Sequence, residues 1–160
     1  MNYGVIDVGS NTVRLCVYDV LCPEKRKFKT IMNRKIMAGL AAYIVDGAFS
    51  DEGIAEAILA VKKCLKRASY LSPDRVDVFA TAVLRNVSNS AQAIAAIEQG
   101  AGCSISLLSN SDEAHLGFVG ASSRGALDNG ALIDIGGGST EITVIENGVD
   151  VARTSLPQGS

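Results

Sequence analysis

The stretch Ile133-Asp134-Ile135-Gly136-Gly137-Gly138-Ser139-Thr140-Glu141 decides the fold. An apolar, β-branched run ends on an acid, three glycines follow, and a second apolar run starts behind two hydroxyls and another acid. Residues Ala131–Ile135 therefore read as a strand, Gly136–Ser139 as a turn and Thr140–Glu146 as the next strand. Three successive glycines between strands weaken a sheet for no evident structural gain. Without Cβ atoms, however, backbone amides can close on a ligand, and Ser139 and Thr140 add hydroxyl donors. No Gly-Lys-Ser/Thr follows, so this is not a P-loop. A merely floppy glycine turn is the bland alternative.

The N-terminus repeats the pattern. Val5-Ile6-Asp7-Val8-Gly9-Ser10 parallels Leu132-Ile133-Asp134-Ile135-Gly136-Gly137. Residues 3–8 and 13–20 read as two strands around Gly9-Ser10-Asn11. An aspartate leaving a buried strand is costly unless a metal ion or its water binds it. Ser10, Asn11 and the turn amides can form an anion nest. Gly-Ser-Asn is also ordinary turn chemistry, and that reading stays open.

Outward from the turns, residues 27–32 alternate as a third strand, and a short strand near 35–38 follows. Ser50-Asp51-Glu52 announces a helix, with Ile54, Ile58, Val61, Leu65 and Ala68 at helical spacing. A strand over 75–81, a helix over 90–99, a strand over 103–108 and a helix over 112–122 come next. Glu146-Asn147-Gly148 turns the chain into a last strand, 149–155. The order β-β-β-α-β-α-β-α then restarts as β-β-β, which suggests an internal duplication. The second copy carries no helices, so its strands are expected to expose an apolar face and the natural chain to continue past Ser160.

The 160 residues are 48% apolar and 20% charged, with no Trp and a net charge of −2. Such a chain packs a core of Val, Ile, Leu and Ala, as α/β layers do. No basic excess recruits nucleic acid or an anionic membrane. The four cysteines form no CxxC pair, and Cys16 and Cys64 read as buried hydrophobes in a reduced cytoplasm. Neither a signal peptide nor a run of about 18–20 apolar residues is legible. The Lys62-Lys63 and Lys66-Arg67 cluster reads as the solvated face of a helix.

Two such turns, each on a β-β connection, resemble the phosphate loops of the actin-like ATPase superfamily. Within it the chain resembles the exopolyphosphatase/guanosine pentaphosphate phosphohydrolase family. The residues that carry this are Ile6-Asp7-Val8-Gly9-Ser10-Asn11-Thr12-Val13-Arg14-Leu15, Ala80-Thr81-Ala82-Val83-Leu84-Arg85, Ser109–Gly117 and Ile133–Glu141. The resemblance implies an α/β fold: an actin-like (ribonuclease H-like) lobe with a mixed five-stranded sheet over residues 1–125, and the start of a second lobe over 126–160. It implies Glu113 as the acid that activates water, Glu141 as a second acid or metal ligand, and Arg85 as the arginine on phosphate. Ser10, Asn11, Thr12, Gly137, Gly138 and Ser139 would cradle phosphate. Asp134, Asp7 and Glu141 would hold a divalent metal, magnesium by expectation. The substrate would be polyphosphate or guanosine pentaphosphate, the protein a homodimer, and the 160-residue piece alone inactive.

The family's Ser-Gly-x-Glu-Glu-Ala-Arg-Leu stands here as Ser109-Asn110-Ser111-Asp112-Glu113-Ala114-His115-Leu116. Asn110 replaces a glycine and tolerates positive φ. His115 is expected as a half-exposed helix residue in an arginine's place, with phosphate contact or pH sensing as alternatives. Two competing functions are a small-molecule kinase of the same superfamily and a polyphosphate- or alarmone-binding lobe without turnover. Glu141 and the Ala-Thr…Arg stretch favour the hydrolase.

Overall fold

The computed structural model describes the whole chain except Lys25, Arg26, Arg124 and Ala126. The chain divides into two compact units, Met1–Leu107 and Leu108–Ser160. No helix among the described residues is long and apolar enough to cross a membrane.

In the first unit, alternation sets the sheet. Strands β1 (Asn2–Val8) and β2 (Thr12–Cys22) pair antiparallel, with Ile6, Val8, Val13, Leu15 and Val17 all turned into the core. β3 (Lys27–Met37) continues the ladder as one exposed 11-residue edge strand, where the sequence suggested two shorter pieces. Its pairing bends through two register shifts with β2. A 3-10 turn, Leu40–Tyr43, leads into a small hairpin of β4 (Ile44–Val45) and β5 (Ala48–Phe49). Its Asp46-Gly47 corner has both φ angles positive, the Asp-Gly signature that a sequence scan can find.

Helix α1 (Asp51–Ser69) starts at Ser50, whose side chain accepts the Gly53 amide at 3.2 Å. Ala57, Ala60, Val61, Cys64 and Ala68 form its buried face, while Lys62, Lys63, Lys66 and Arg67 are exposed as expected. Small residues there let the helix approach the strands closely. Strand β6 (Arg75–Ala80) runs parallel beside β1, and helix α2 (Ala82–Arg85) follows at once. Helix α3 (Ser90–Ala101) packs on α1, with Gly100 against Ile58. The short β7 (Ser106–Leu107) completes the mixed five-stranded sheet, in the order β3-β2-β1-β6-β7. Cys16 and Cys64 are buried as read, and all four cysteines are free.

The second unit opens with helix α4 (Asn110–Ser122) and continues into an antiparallel sheet of β8 (Gly130–Ile135), β9 (Thr140–Glu146) and β10 (Val149–Leu156). Asn147 and Gly148 both have positive φ, the expected tight hairpin. The sequence placed α4 with the N-terminal lobe and the boundary after residue 125. The compact units divide before α4, because the helix packs on β9 and β10. The expected first residue of the second lobe, Ala126, lies outside the described residues. The face of this sheet that carries Ile133, Ile135, Val144 and Leu156 is exposed, as the missing helices predicted.

Candidate functional site

The first turn is a two-residue corner. Val8 pairs with Val13, and the Gly9 amide donates to the Thr12 carbonyl at 3.1 Å, which leaves Ser10 and Asn11 at the apex. A Cβ at Gly9 would stand 3.1 Å from that carbonyl. The chain after β3 supports the corner: Ala38 and Gly39 amides donate to Asn11 O, and the Ala41 amide donates to Ser10 O. Ser10 is buried and Asn11 exposed, so the two apical side chains are not equivalent. Asp7 is exposed, which removes the burial cost that the sequence argument charged to it. It stands directly opposite Arg14, and Arg14 opposite Lys35.

Arg85 belongs to the same unit. The parallel pairing of Val8 with Ala80 brings the start of α2 beside the turn's strand, and Arg85 ends that helix. Its amide donates to Thr81 O at 3.0 Å. The guanidinium Nε and Nη2 are shielded from solvent.

The second turn repeats the first atom for atom in its closing bond. Gly136 donates to Ser139 O at 2.9 Å, leaving Gly137 and Gly138 at the apex. Asp134 pairs with Glu141 as Asp7 pairs with Arg14. The difference is charge, because here two carboxylates face each other across the ladder, an arrangement that costs energy unless something cationic binds it. Asp134 is exposed and Glu141 is 4% exposed. Ser155 Oγ donates to Glu141 Oε1 at 2.8 Å. Ser139 is buried. The Thr140 hydroxyl, expected as a ligand donor, is instead directed to Gln158 O at 2.6 Å.

Glu113 lies in the first turn of α4 and is half-buried. Ser109 caps this helix, its Oγ accepting the Asp112 amide at 3.1 Å, and the Glu113 amide donates to Ser109 O. Of the substituted positions, Asp112 thus serves the helix start. Asn110 is its first residue and has no positive φ, so the conformational tolerance that the sequence reading invoked is not used. One turn on from Glu113, a Cβ at Gly117 would lie 3.8 Å from Asp134 Oδ2. Residues four apart share a helix face, so Glu113 lies on the side of α4 turned to Asp134.

Further along α4 the sequence reading missed a cluster. His115 Nδ1 lies 2.7 Å from Asp150 Oδ2, which also accepts from Arg153 Nε at 2.9 Å. Arg153 Nη1 donates to Ser111 Oγ. A bulge between Asp150 and Ala152 puts Asp150 and Arg153 on one face of β10, which regular alternation would forbid. The His115 hydrogen bond and then the Arg153 charge hold the Asp150 carboxyl below its ordinary value, against desolvation. His115 is half-exposed as expected, and its partner is an acid.

No group of three or more His, Cys, Asp or Glu side chains among the described residues could by itself hold a metal ion. The Asp134–Glu141 pair fits a hard cation that takes one or two carboxylates and keeps water on its remaining positions.

Among solved structures, the chain is similar to an exopolyphosphatase from Cytophaga hutchinsonii, with a TM-score of 0.88 and 26% identity over 99% of this chain and 51% of that one. The Aquifex aeolicus member of the Ppx/GppA family gives 0.82 and 23% over 99% and 52%. The ethanolamine utilization protein EutJ from Carboxydothermus hydrogenoformans gives 0.59 and 23% over 100% and 53%. The last two speak for the fold alone. The chain spans about half the length of each of these proteins. Its fold is the expected actin-like α/β lobe with a mixed five-stranded sheet, joined to the first strands of a second such lobe. The Ppx/GppA phosphatase family matches residues 22–160, a span that takes in Arg85, Glu113 and the whole glycine turn, and the chain belongs to that family.

Proposed function

We propose that the protein releases the terminal phosphate of inorganic polyphosphate, or the 5′-phosphate of guanosine pentaphosphate, by hydrolysis. One observation carries this reading: a glycine turn flanked by the facing carboxylates Asp134 and Glu141, beneath the helix that bears Glu113. Phosphoryl transfer needs donors on the phosphoryl oxygens and a group that orients the attacking water. In the second unit, Gly137, Gly138 and Ser139 offer amide and hydroxyl donors to a phosphate; in the first, Ser10, Asn11 and Thr12 offer the same groups, and Arg85 offers a guanidinium suited to a bidentate phosphate grip. Glu113 accepts the proton of water as its oxygen bonds to the terminal phosphorus, and the bridging P–O bond breaks toward the shortened chain. A divalent cation at Asp134 and Glu141, magnesium by this reading, would neutralise charge on the phosphate oxygens.

Turnover is favoured over mere binding because Glu113 is kept in the altered stretch Asn110–His115, within which Asp112 and His115 are engaged in hydrogen bonds inside the second unit. A cytoplasmic setting, a homodimer and inactivity of the 160 residues alone belong to the same reading. In the complete protein, Glu113→Gln should lower kcat on polyphosphate by about 10²–10⁴-fold with unchanged circular dichroism. Undiminished phosphate release would sink the assignment.

A further inference from the structure

Residues Pro157–Ser160 follow β10 and run against the glycine turn. The Ser160 amide donates to Gly136 O at 2.9 Å, and Thr140 Oγ1 donates to Gln158 O at 2.6 Å. Gly159 sits between these two bonds. A Cβ there would fall 2.5 Å from the Gly137 carbonyl carbon, 2.7 Å from Gly136 O, and against Gly138 N as well. All three are backbone atoms, so no flexible side chain can swing aside. None of Gly136, Gly137 and Gly138 has a left-handed φ. Their bare backbone is therefore not required by a left-handed φ, and Gly159 is seated directly against it.

The first unit supplies the control. Val13 pairs with Ile36 where Thr140 pairs with Leu156, so the register equates Gly39 with Gly159. Gly39 has a φ of 57°, and a Cβ there meets nothing within 4 Å. Gly39 is a glycine for its dihedral, Gly159 for its contact.

We propose that Gly159 is a positioning residue for the glycine turn. Pro157–Ser160 act as a strap that fixes the Gly136–Gly138 backbone for a phosphate chain, an inference that rests on the phosphate reading of that turn. The test is amide NMR on the 160-residue chain, combining hydrogen exchange with a titration by inorganic tripolyphosphate. Gly159→Ala should speed exchange at Gly136 by about tenfold or more and weaken tripolyphosphate binding similarly, because the added methyl meets rigid backbone. The Thr143 and Ile145 amides, on the far part of β9, should keep their rates. Thr140→Val should act in the same direction, and Thr140→Ser should restore both readouts. If Gly159→Ala leaves exchange at Gly136 unchanged, the strap is overturned. If Gly159→Ala does not fold, the Thr140 pair decides, and an unchanged Thr140→Val overturns it equally. Tripolyphosphate shifts that bypass Gly137 and Gly138 in the unaltered chain would remove the phosphate reading, while the exchange rates would still decide the strap.

Discussion

The turns at Gly9–Thr12 and Gly136–Ser139 share a closing bond, a strand register and support from the residues after the third strand, yet they bury opposite faces. In the first unit Ile6 and Val8 are 0% exposed, while their counterparts Ile133 and Ile135 are 59% and 64% exposed. Around the glycine turn the covered side is the other one, where Glu141, Thr143 and Ile145 lie beneath α4. The backbone of this hairpin is therefore independent of which side carries the helix. What the helix changes is the chemistry brought to the turn: α1 covers an aliphatic face, whereas α4 covers a face that holds a carboxylate.

The largest effect should come from the buried face itself. Leu15→Ala should cost about 2–5 kcal/mol in denaturant unfolding. Ile142→Ala, at the equivalent position on the part-exposed face, should cost clearly less. Equal losses would mean that the two copies are packed alike and would break the comparison.

Next in size is the charge across the ladder. Magnesium should raise the melting temperature of the unaltered chain, the added stability amounting to about 2.7 kcal/mol of unfolding free energy at a hundredfold excess over its Kd. Glu141→Gln should abolish that gain, and without magnesium it should be neutral or stabilising by about 0.2–1 kcal/mol, since it relieves a like-charge pair. An equal magnesium response in both proteins would place the cation elsewhere.

The smallest effect concerns Asp150. Its carboxyl is held low by His115 and Arg153, so the stability it contributes is present above the ordinary carboxylate pKa of about 3.9 and lost as pH falls through the lower folded value. Asp150→Asn should lower the melting temperature at neutral pH, and the gap should close on acidification below about pH 4. A gap that stays constant into acid would show that the clasp between α4 and β10 does not depend on the charge of Asp150.

The repeat of the two turns was legible because strand ends, acids and glycines recur at the same spacing. The helices with N-cap serines and apolar periodicity were legible for the same kind of local reason. Three features were not. The seat of Gly159 against the glycine turn was hidden because Gly159 lies some twenty residues on and only the register of β10 brings it back. The Asp150 clasp depends on a bulge that no alternation pattern announces. The side of each sheet that is buried follows from which helix follows which strand, and the strand sequences of the second unit, with Ile133, Ile135, Ile142 and Val144 against Thr143 and Glu141, point toward the face that is not covered.

Strand β3 has a consequence for how the molecule behaves among its copies. An 11-residue edge offers unpaired backbone along most of its length, which is a template for another chain's strand. Lys27, Lys29, Arg34 and Lys35 lie along it with no acid between them. Two copies approaching edge to edge would bring these cations together, so the strand guards itself by self-repulsion. The guard is as strong as the solvent allows: with a Debye length of about 10 Å at 0.1 M salt and about 3 Å at 1 M, concentrated salt would lower it.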